Sequence, residues 1–246
     1  GNSSFTSNNV GIYLGYSSAD EGAHNFTLLN STITSSTDVG LRALLSDNVT
    51  LYNNTLSGNT NQNLYLNGGN DFWNVTNNVF SSSTYGFFDE NGGTPNQNDT
   101  FFNNTFQSNT VGVQLQYADY FNFTNNLILS SSTGLAISDG SDSNTFDSNQ
   151  INSSGSVAIS FQNFNSFDQN FTNNTVDTYL YVQCYQNSSF TLSNTTVAVN
   201  RITNFGAMNI YACDNAVLNN ISISSHTSTS YGGLFIVNSD NVTVGN

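Results

Sequence analysis

Asn48-Val49-Thr50-Leu51-Tyr52-Asn53-Asn54-Thr55-Leu56-Ser57 decides how this chain is read. Two apolar residues, Leu51 and Leu56, flank an Asn pair, and near relatives of this decapeptide recur throughout. Taking the apolar residue before the Asn pair as anchor gives Leu28, Leu51, Val75, Phe101, Phe123, Phe146, Phe171, Leu192, Val217 and Val244, with Phe5 one step earlier. Successive anchors lie roughly 21 to 27 residues apart, inside the period range of solenoids.

Two further apolar columns keep step with the first. Five residues after the anchor come Ile33, Leu56, Phe80, Phe106, Ile128, Ile151, Val176 and Val197. A third column follows a frequent Gly: Ile12, Leu41, Leu64, Phe87, Val113, Leu135, Leu180, Met208 and Leu234. Within these segments apolar and polar residues alternate, as in Leu64-Tyr65-Leu66, which is the period of a strand with one buried face. Helical spacing is nowhere sustained. The expected fold is all-β: a right-handed, single-stranded parallel β-helix of about ten rungs, each of roughly 24 residues with three short strands. An antiparallel sandwich would not hold three columns in register. Residues 1–246 read as one such segment, uncapped at both ends and part of a longer chain.

The turns carry two polar columns. The second member of the Asn pair is Asn54, Asn78, Asn104, Asn126, Asn149, Asn174 and Asn220. Asn tolerates the left-handed conformation of a sharp bend. Stacked on like neighbours, its amide can also bond along the axis. The other column holds Asp47, Asp71, Asp119, Asp142, Asp214 and Asp240. Turn formation is its main reading and calcium binding its minor one; no other cofactor is expected.

The pattern Asn-x-Φ-x-x-Asn-x-Φ followed by Gly-Φ-x-Φ, where Φ is apolar, resembles the repeats of the NosD-like and carbohydrate-binding (CASH) β-helix domains. The resemblance covers nearly the whole chain and implies the pectate-lyase-like fold. It implies no single activity, since such families include carbohydrate-active enzymes, surface proteins and adhesins.

Composition narrows the partners. Sixteen acids face only Arg42 and Arg201, for a net charge of -14 and no Lys. A phosphate-binding surface needs clustered cations, so nucleic acid and anionic membrane surfaces are excluded as expected partners. No run of 18 or more apolar residues is present to span a bilayer. Aromatics at 13% argue against disorder.

Catalytic signals are weak. Glycosidases of this fold need paired carboxylates, yet no Asp-Asp pair occurs and Glu21 and Glu90 are the only glutamates. The Gly-His-Gly and Arg-Ile-Lys segments of polygalacturonase-like enzymes are missing: Arg201-Ile202 is followed by Thr203, and neither His24 nor His226 has that setting. A lyase would have to use Arg201 with Asp177 and Asp214. Tyr52, Tyr65 and Tyr181 read as outward aromatics able to stack on sugar rings. Aligning the third column sets Cys184 opposite Ala212, beside Cys213, so a Cys184–Cys213 bridge is expected, and with it an oxidising compartment.

Acceptor signals for N-linked glycans, Asn-x-Ser/Thr, are frequent. In the rung frame they fall three before the anchor (Asn2, Asn25, Asn48, Asn98, Asn241), one before it (Asn74, Asn122, Asn170), or two after it (Asn30, Asn53, Asn103, Asn173, Asn194). Asn152 and Asn187 are further acceptors, and Asn220 alone falls in the ladder column. Strand alternation turns the first two groups to solvent, and the third sits at an exposed turn. The reading that follows is a non-catalytic, N-glycosylated extracellular rod, self-associating as part of an S-layer, filament or adhesin. Low charge suits an acidic or hot archaeal surface. The alternative is a carbohydrate-binding or polysaccharide-cleaving module, and a viral fibre shaft comes third.

Overall fold

The computed structural model describes residues 2–15, 22–90, 94–155, 157–162, 168–177, 190–198, 208–211, 213–224 and 233–246. Every strand pairing among them is parallel, and each strand pairs with the strand one repeat away. The chain therefore coils as a right-handed β-solenoid with three faces, and no helix occurs among the described residues.

The first face stacks ten strands, from Thr27–Leu29 to Thr243–Gly245, and the second also stacks ten, from Ser4–Thr6 to Ser222–Ser224. The third runs from Val10–Leu14 through Val39–Ala43, Gln62–Asn67 and Tyr85–Glu90 to Val157–Gln162, then resumes at Met208–Tyr211 and Leu234–Val237. The coil makes about eight turns, slightly fewer than the ten rungs expected.

The columns expected from the repeat are real files. Leu28, Leu51, Val75, Phe101, Phe123, Phe146, Phe171 and Leu192 stack in register on the first face. Phe101–Phe123, Phe123–Phe146 and Phe146–Phe171 place ring centroids 4.6, 5.3 and 4.5 Å apart, with the rings nearly parallel in stacks. The second file runs Ile33 to Val197 as expected. The third gains Ile159 after Leu135. Its Gly code has a steric cause: a Cβ on Gly112 would lie 2.5 Å from Ile128 Cγ2 and 2.6 Å from the Gly134 carbonyl oxygen.

Two register assignments need correction. Phe5 pairs with Ile33, so it heads the second file rather than the first. Leu192 pairs with Leu218, not Val217; Leu218 is 1% exposed and Val217 36%. In this turn the Asn219-Asn220 pair stands one residue earlier in the frame. Asn220 takes the left-handed bend (φ 50°) and lies exposed outside the ladder, its Nδ2 donating to Asn194 Oδ1 at 2.9 Å.

The Asn pair divides two tasks that the sequence reading gave to one residue. The first member makes the bend: Asn53, Asn77, Asn103, Asn125 and Asn173 have φ of 54–58°. The second member is buried and makes the ladder. Asn54, Asn78, Asn104, Asn126 and Asn149 each donate Nδ2 to the Oδ1 of the next, at 3.0–3.1 Å. The same Oδ1 accepts the neighbouring backbone N–H at 2.8–2.9 Å. Ladder amides thus satisfy backbone groups that a buried turn would otherwise leave unpaired.

Candidate functional site

On the third face, strand register brings outward side chains from successive rungs into one column. Tyr13 aligns with Arg42, Arg42 with Tyr65, and Tyr65 with Phe88. The Arg42 guanidinium carbon lies 5.6 Å from the Tyr13 ring centroid and 5.1 Å from that of Tyr65, a cation held between two π faces. Tyr65 stacks on Phe88 at 5.5 Å, and Phe88 on Tyr85 at 4.9 Å. These contacts cover the Tyr65 ring, which is 8% exposed, so Tyr65 is not the free outward aromatic expected of it; Tyr13 is exposed instead.

The polar edge of the column is equally connected. The Tyr65 hydroxyl donates to Glu90 Oε2 and accepts from Asn67 Nδ2 at 2.5 Å. Burial, then the bond to Glu90, pushes the Tyr65 hydroxyl up to about 12. It remains protonated at neutral pH, a donor and not a base. Glu90 and Asn67 share the next outward position, while Asp89 points inward between Leu66 and Leu115. Asp89 accepts from Asn96 Nδ2 and from the Gln116 backbone, and its other oxygen is buried without a partner.

Asp99 is a second fully buried acid. Its Oδ1 accepts the Trp73 backbone N–H at 2.8 Å, and its Oδ2 is unpartnered. Burial raises both carboxyls well above the usual carboxylate range. The folded state therefore holds these protons more tightly than the unfolded chain does. Stability is full below the ordinary carboxylate value, about pH 4, and is lost as pH rises through the raised folded values. In the same column Asn144 makes the equivalent acceptor bond, to Phe121 N–H, and donates its Nδ2 to the Ala118 carbonyl at 2.8 Å. Asp99→Asn is expected to raise the urea midpoint at neutral pH, by the equivalent of about 1–3 kcal/mol, and to flatten its decline with pH. Urea titrations of both proteins at several pH values check this.

The Asp turn column spends its oxygens on the backbone. Asp47, Asp71, Asp119 and Asp214 each accept, through Oδ1, a backbone N–H of the following rung, at 2.8–3.1 Å. His24 lies 3.4 Å from Asp47. Arg201, His226, Glu21, Tyr181, Cys184, Leu180 and Asn187 lie outside the described residues, as does the Asp177 side chain. Cys213 is fully buried, and no described cysteine is free. A groove of about 540 Å³ opens elsewhere, where the second face bulges, lined by Gln107, Ser108, Leu129, Ser130, Ser131, Asn152 and Ser154. It offers hydroxyls and amides but no ionisable group.

The acceptor asparagines divide by geometry. Asn25, Asn30, Asn48, Asn53, Asn98, Asn103, Asn173, Asn194, Asn220 and Asn241 occupy left-handed bends. Asn74, Asn122 and Asn170 project outward from first-face strands, and Asn2 is also exposed; Asn152 is half-buried. The bends thus supply their own reason for Asn, and the outward strand position that follows two residues later favours Thr. Much of the acceptor pattern arises from the turn code alone.

Fold and repeat define a right-handed parallel β-helix of the pectate-lyase-like kind. A profile of the NosD family, described as periplasmic copper-binding protein, matches residues 1–97 and 64–203, and the chain belongs to that family. Similar solved structures include the A-module of mannuronan C-5 epimerase AlgE4 from Azotobacter vinelandii, at 15% identity and a TM-score of 0.62, covering 91% of this chain and 58% of that one. A family 28 exopolygalacturonase from Yersinia enterocolitica is similar at 12% identity and a TM-score of 0.63, covering 89% and 45%. This chain therefore spans about half the length of these relatives. No curated protein sequence matches it.

Copper does not fit the donors described. Copper sites draw on imidazole, thiolate and thioether. Here Met208 and Cys213 are fully buried in the core, His24 faces Asp47, and no group of three His, Cys, Asp or Glu converges among the described residues.

Proposed function

We propose that this chain is a polysaccharide-binding module working outside the cytoplasm, with its site on the third face at Arg42, Tyr65 and Glu90. The carrying observation is the continuous outward column in which a guanidinium, stacked rings, a carboxylate, an amide and a phenol stand in fixed relation. Aromatic faces with a few fixed polar groups are what sugar rings require. Solved folds similar in shape include a mannuronan epimerase and an exopolygalacturonase, which supports this class of ligand. Holding is favoured over cleaving because Tyr65, hydrogen-bonded to Glu90 and kept protonated, is poorly placed to remove a proton. The family's periplasmic description supports the location, as would a Cys184–Cys213 bridge.

Calorimetry with alginate, polygalacturonate and neutral glucans tests the reading, run beside assays for reducing ends and unsaturated products. Binding without product is expected, weakened about tenfold or more in Arg42→Ala and Tyr65→Phe, the weight of one charge-assisted hydrogen bond. Product formation would make the module an enzyme. Absence of binding would favour the second reading, a glycosylated structural rod, which the exposed acceptor asparagines support and intact-mass measurement of native material addresses.

A further inference from the structure

Five aromatic side chains are exposed among the described residues, and four of them belong to the first face or its corner. Tyr52 and Phe102 project outward at one edge of that face, 44% and 41% exposed, in register through Thr76. Phe72 and Tyr120 stand at the opposite corner, 57% and 58% exposed, in register through Asn98. Each pair is separated by two rungs, roughly 10 Å along the axis. The two rows are staggered by one rung.

Phe72 and Tyr120 occupy left-handed bends, at φ of 59° and 58°. The same corner in other rungs carries Asn48, Asn98, Ser143 and Asp168, all small and polar. A bulky aromatic is the unfavourable choice at such a bend, and it is made twice at a fixed interval. Such outliers concentrate at functional sites. Between the rows the outward strand residues are Thr50, Asn74, Thr100 and Asn122, and Thr76 and Thr124 continue the Tyr52–Phe102 row, a floor of hydroxyls and amides without charge. Thr76 and Thr124 donate Oγ1 to Asn74 and Asn122 Oδ1, at 2.7 and 2.8 Å.

We infer that the first face is a second carbohydrate platform, which binds an extended neutral polysaccharide lying along the rod axis. An extended chain of equatorially linked pyranoses presents the same ring face at every second sugar, a distance close to two rungs. One sugar can stack on each aromatic of a row while the sugar between spans Thr76 or Asn98. A protein partner would call for a contiguous apolar patch, and here polar residues interrupt each row. Single-stranded nucleic acid would also stack on aromatics but needs a cationic groove. A polyanion is disfavoured by a chain of net charge -14 whose platform offers no cation.

Affinity electrophoresis through gels containing soluble β-glucan, xylan or galactomannan tests the inference, with alginate and polygalacturonate gels alongside. The variants are Phe72→Asn with Tyr120→Asn, Tyr52→Thr with Phe102→Thr, and all four together. Each installs a residue type found in the same column of another rung, so folding is preserved, as thermal melts will show. The unaltered protein is expected to be retarded by at least one neutral polysaccharide, each pair of changes to weaken binding about tenfold, and the fourfold variant to run as in an empty gel. Introduced on top of Arg42→Ala, the four aromatic changes should weaken neutral-chain binding by the same factor as they do in the unaltered protein, which separates this platform from the third-face site. Retardation by polyanions alone, retardation by none, or undiminished binding by the folded fourfold variant would overturn the inference.

Discussion

Asn104→Ala is expected to lower the unfolding free energy by about 3–5 kcal/mol, a large part of the 5–15 kcal/mol that ordinary domains possess. Asn104 Oδ1 accepts both the backbone N–H and the Nδ2 of Asn78, while its own Nδ2 donates to the Val75 carbonyl and to Asn126 Oδ1. Alanine leaves these buried groups without partners, each costing about 1–3 kcal/mol and not fully additive. Asn104→Gly should be as damaging, because the backbone there needs no left-handed residue. Asn103→Gly should be close to neutral: Asn103 is exposed, sits at φ 54°, and makes one side-chain bond to Asn77. Urea unfolding of the three variants separates the ladder from the bend. Equal losses at 103 and 104 would contradict the division of labour between the two asparagines.

Phe123→Ala carries the second large effect, about 3–5 kcal/mol. Its ring lies between Phe101 and Phe146 in the continuous file and is fully buried, so truncation opens a cavity bounded by rings from the rungs on either side. The rigid coil cannot collapse one rung without disturbing the pairing of the next. Phe102→Ala, one residue from that file and facing outward, should change stability by no more than about 0.5 kcal/mol. Thermal and urea unfolding of the variants at 102 and 123 check the contrast.

How much of this was legible follows from what a repeat can encode. Three apolar columns at one period specify a three-faced coil, and Leu51, Val75 and Phe101 stack as their spacing requires. The slip at Val217 has a plain origin. An Asn-Asn pair serves equally as bend plus ladder or as strand end plus bend, and only the inward turn of Leu218 decides between them. Phe5 fits either of two files by sequence, because both accept the same residue types, and only its pairing with Ile33 decides.

The candidate site was legible in principle and missed in practice. Arg42, Tyr65 and Phe88 are each the residue following a third-column anchor, so their outward column could have been written down from the register alone. Reading Tyr65 as exposed ignored what its own column would lay over it. Asp89 and Asp99 gave no signal, since nothing in the repeat marks an acid at an inward position. The Phe72 and Tyr120 bends were hidden for the opposite reason: aromatics read as core, whereas register places these two at a corner that usually holds Asn.

Hydroxyl-radical footprinting of the protein with and without saturating polysaccharide puts the third-face site to its most direct test, because it reports side-chain access residue by residue. Protection of Tyr13, Phe88 and Tyr85 by the bound ligand, lost in Arg42→Ala, is the result this binding site requires. Unchanged oxidation of these three rings beneath a ligand shown to be bound would place recognition elsewhere on the rod and contradict it.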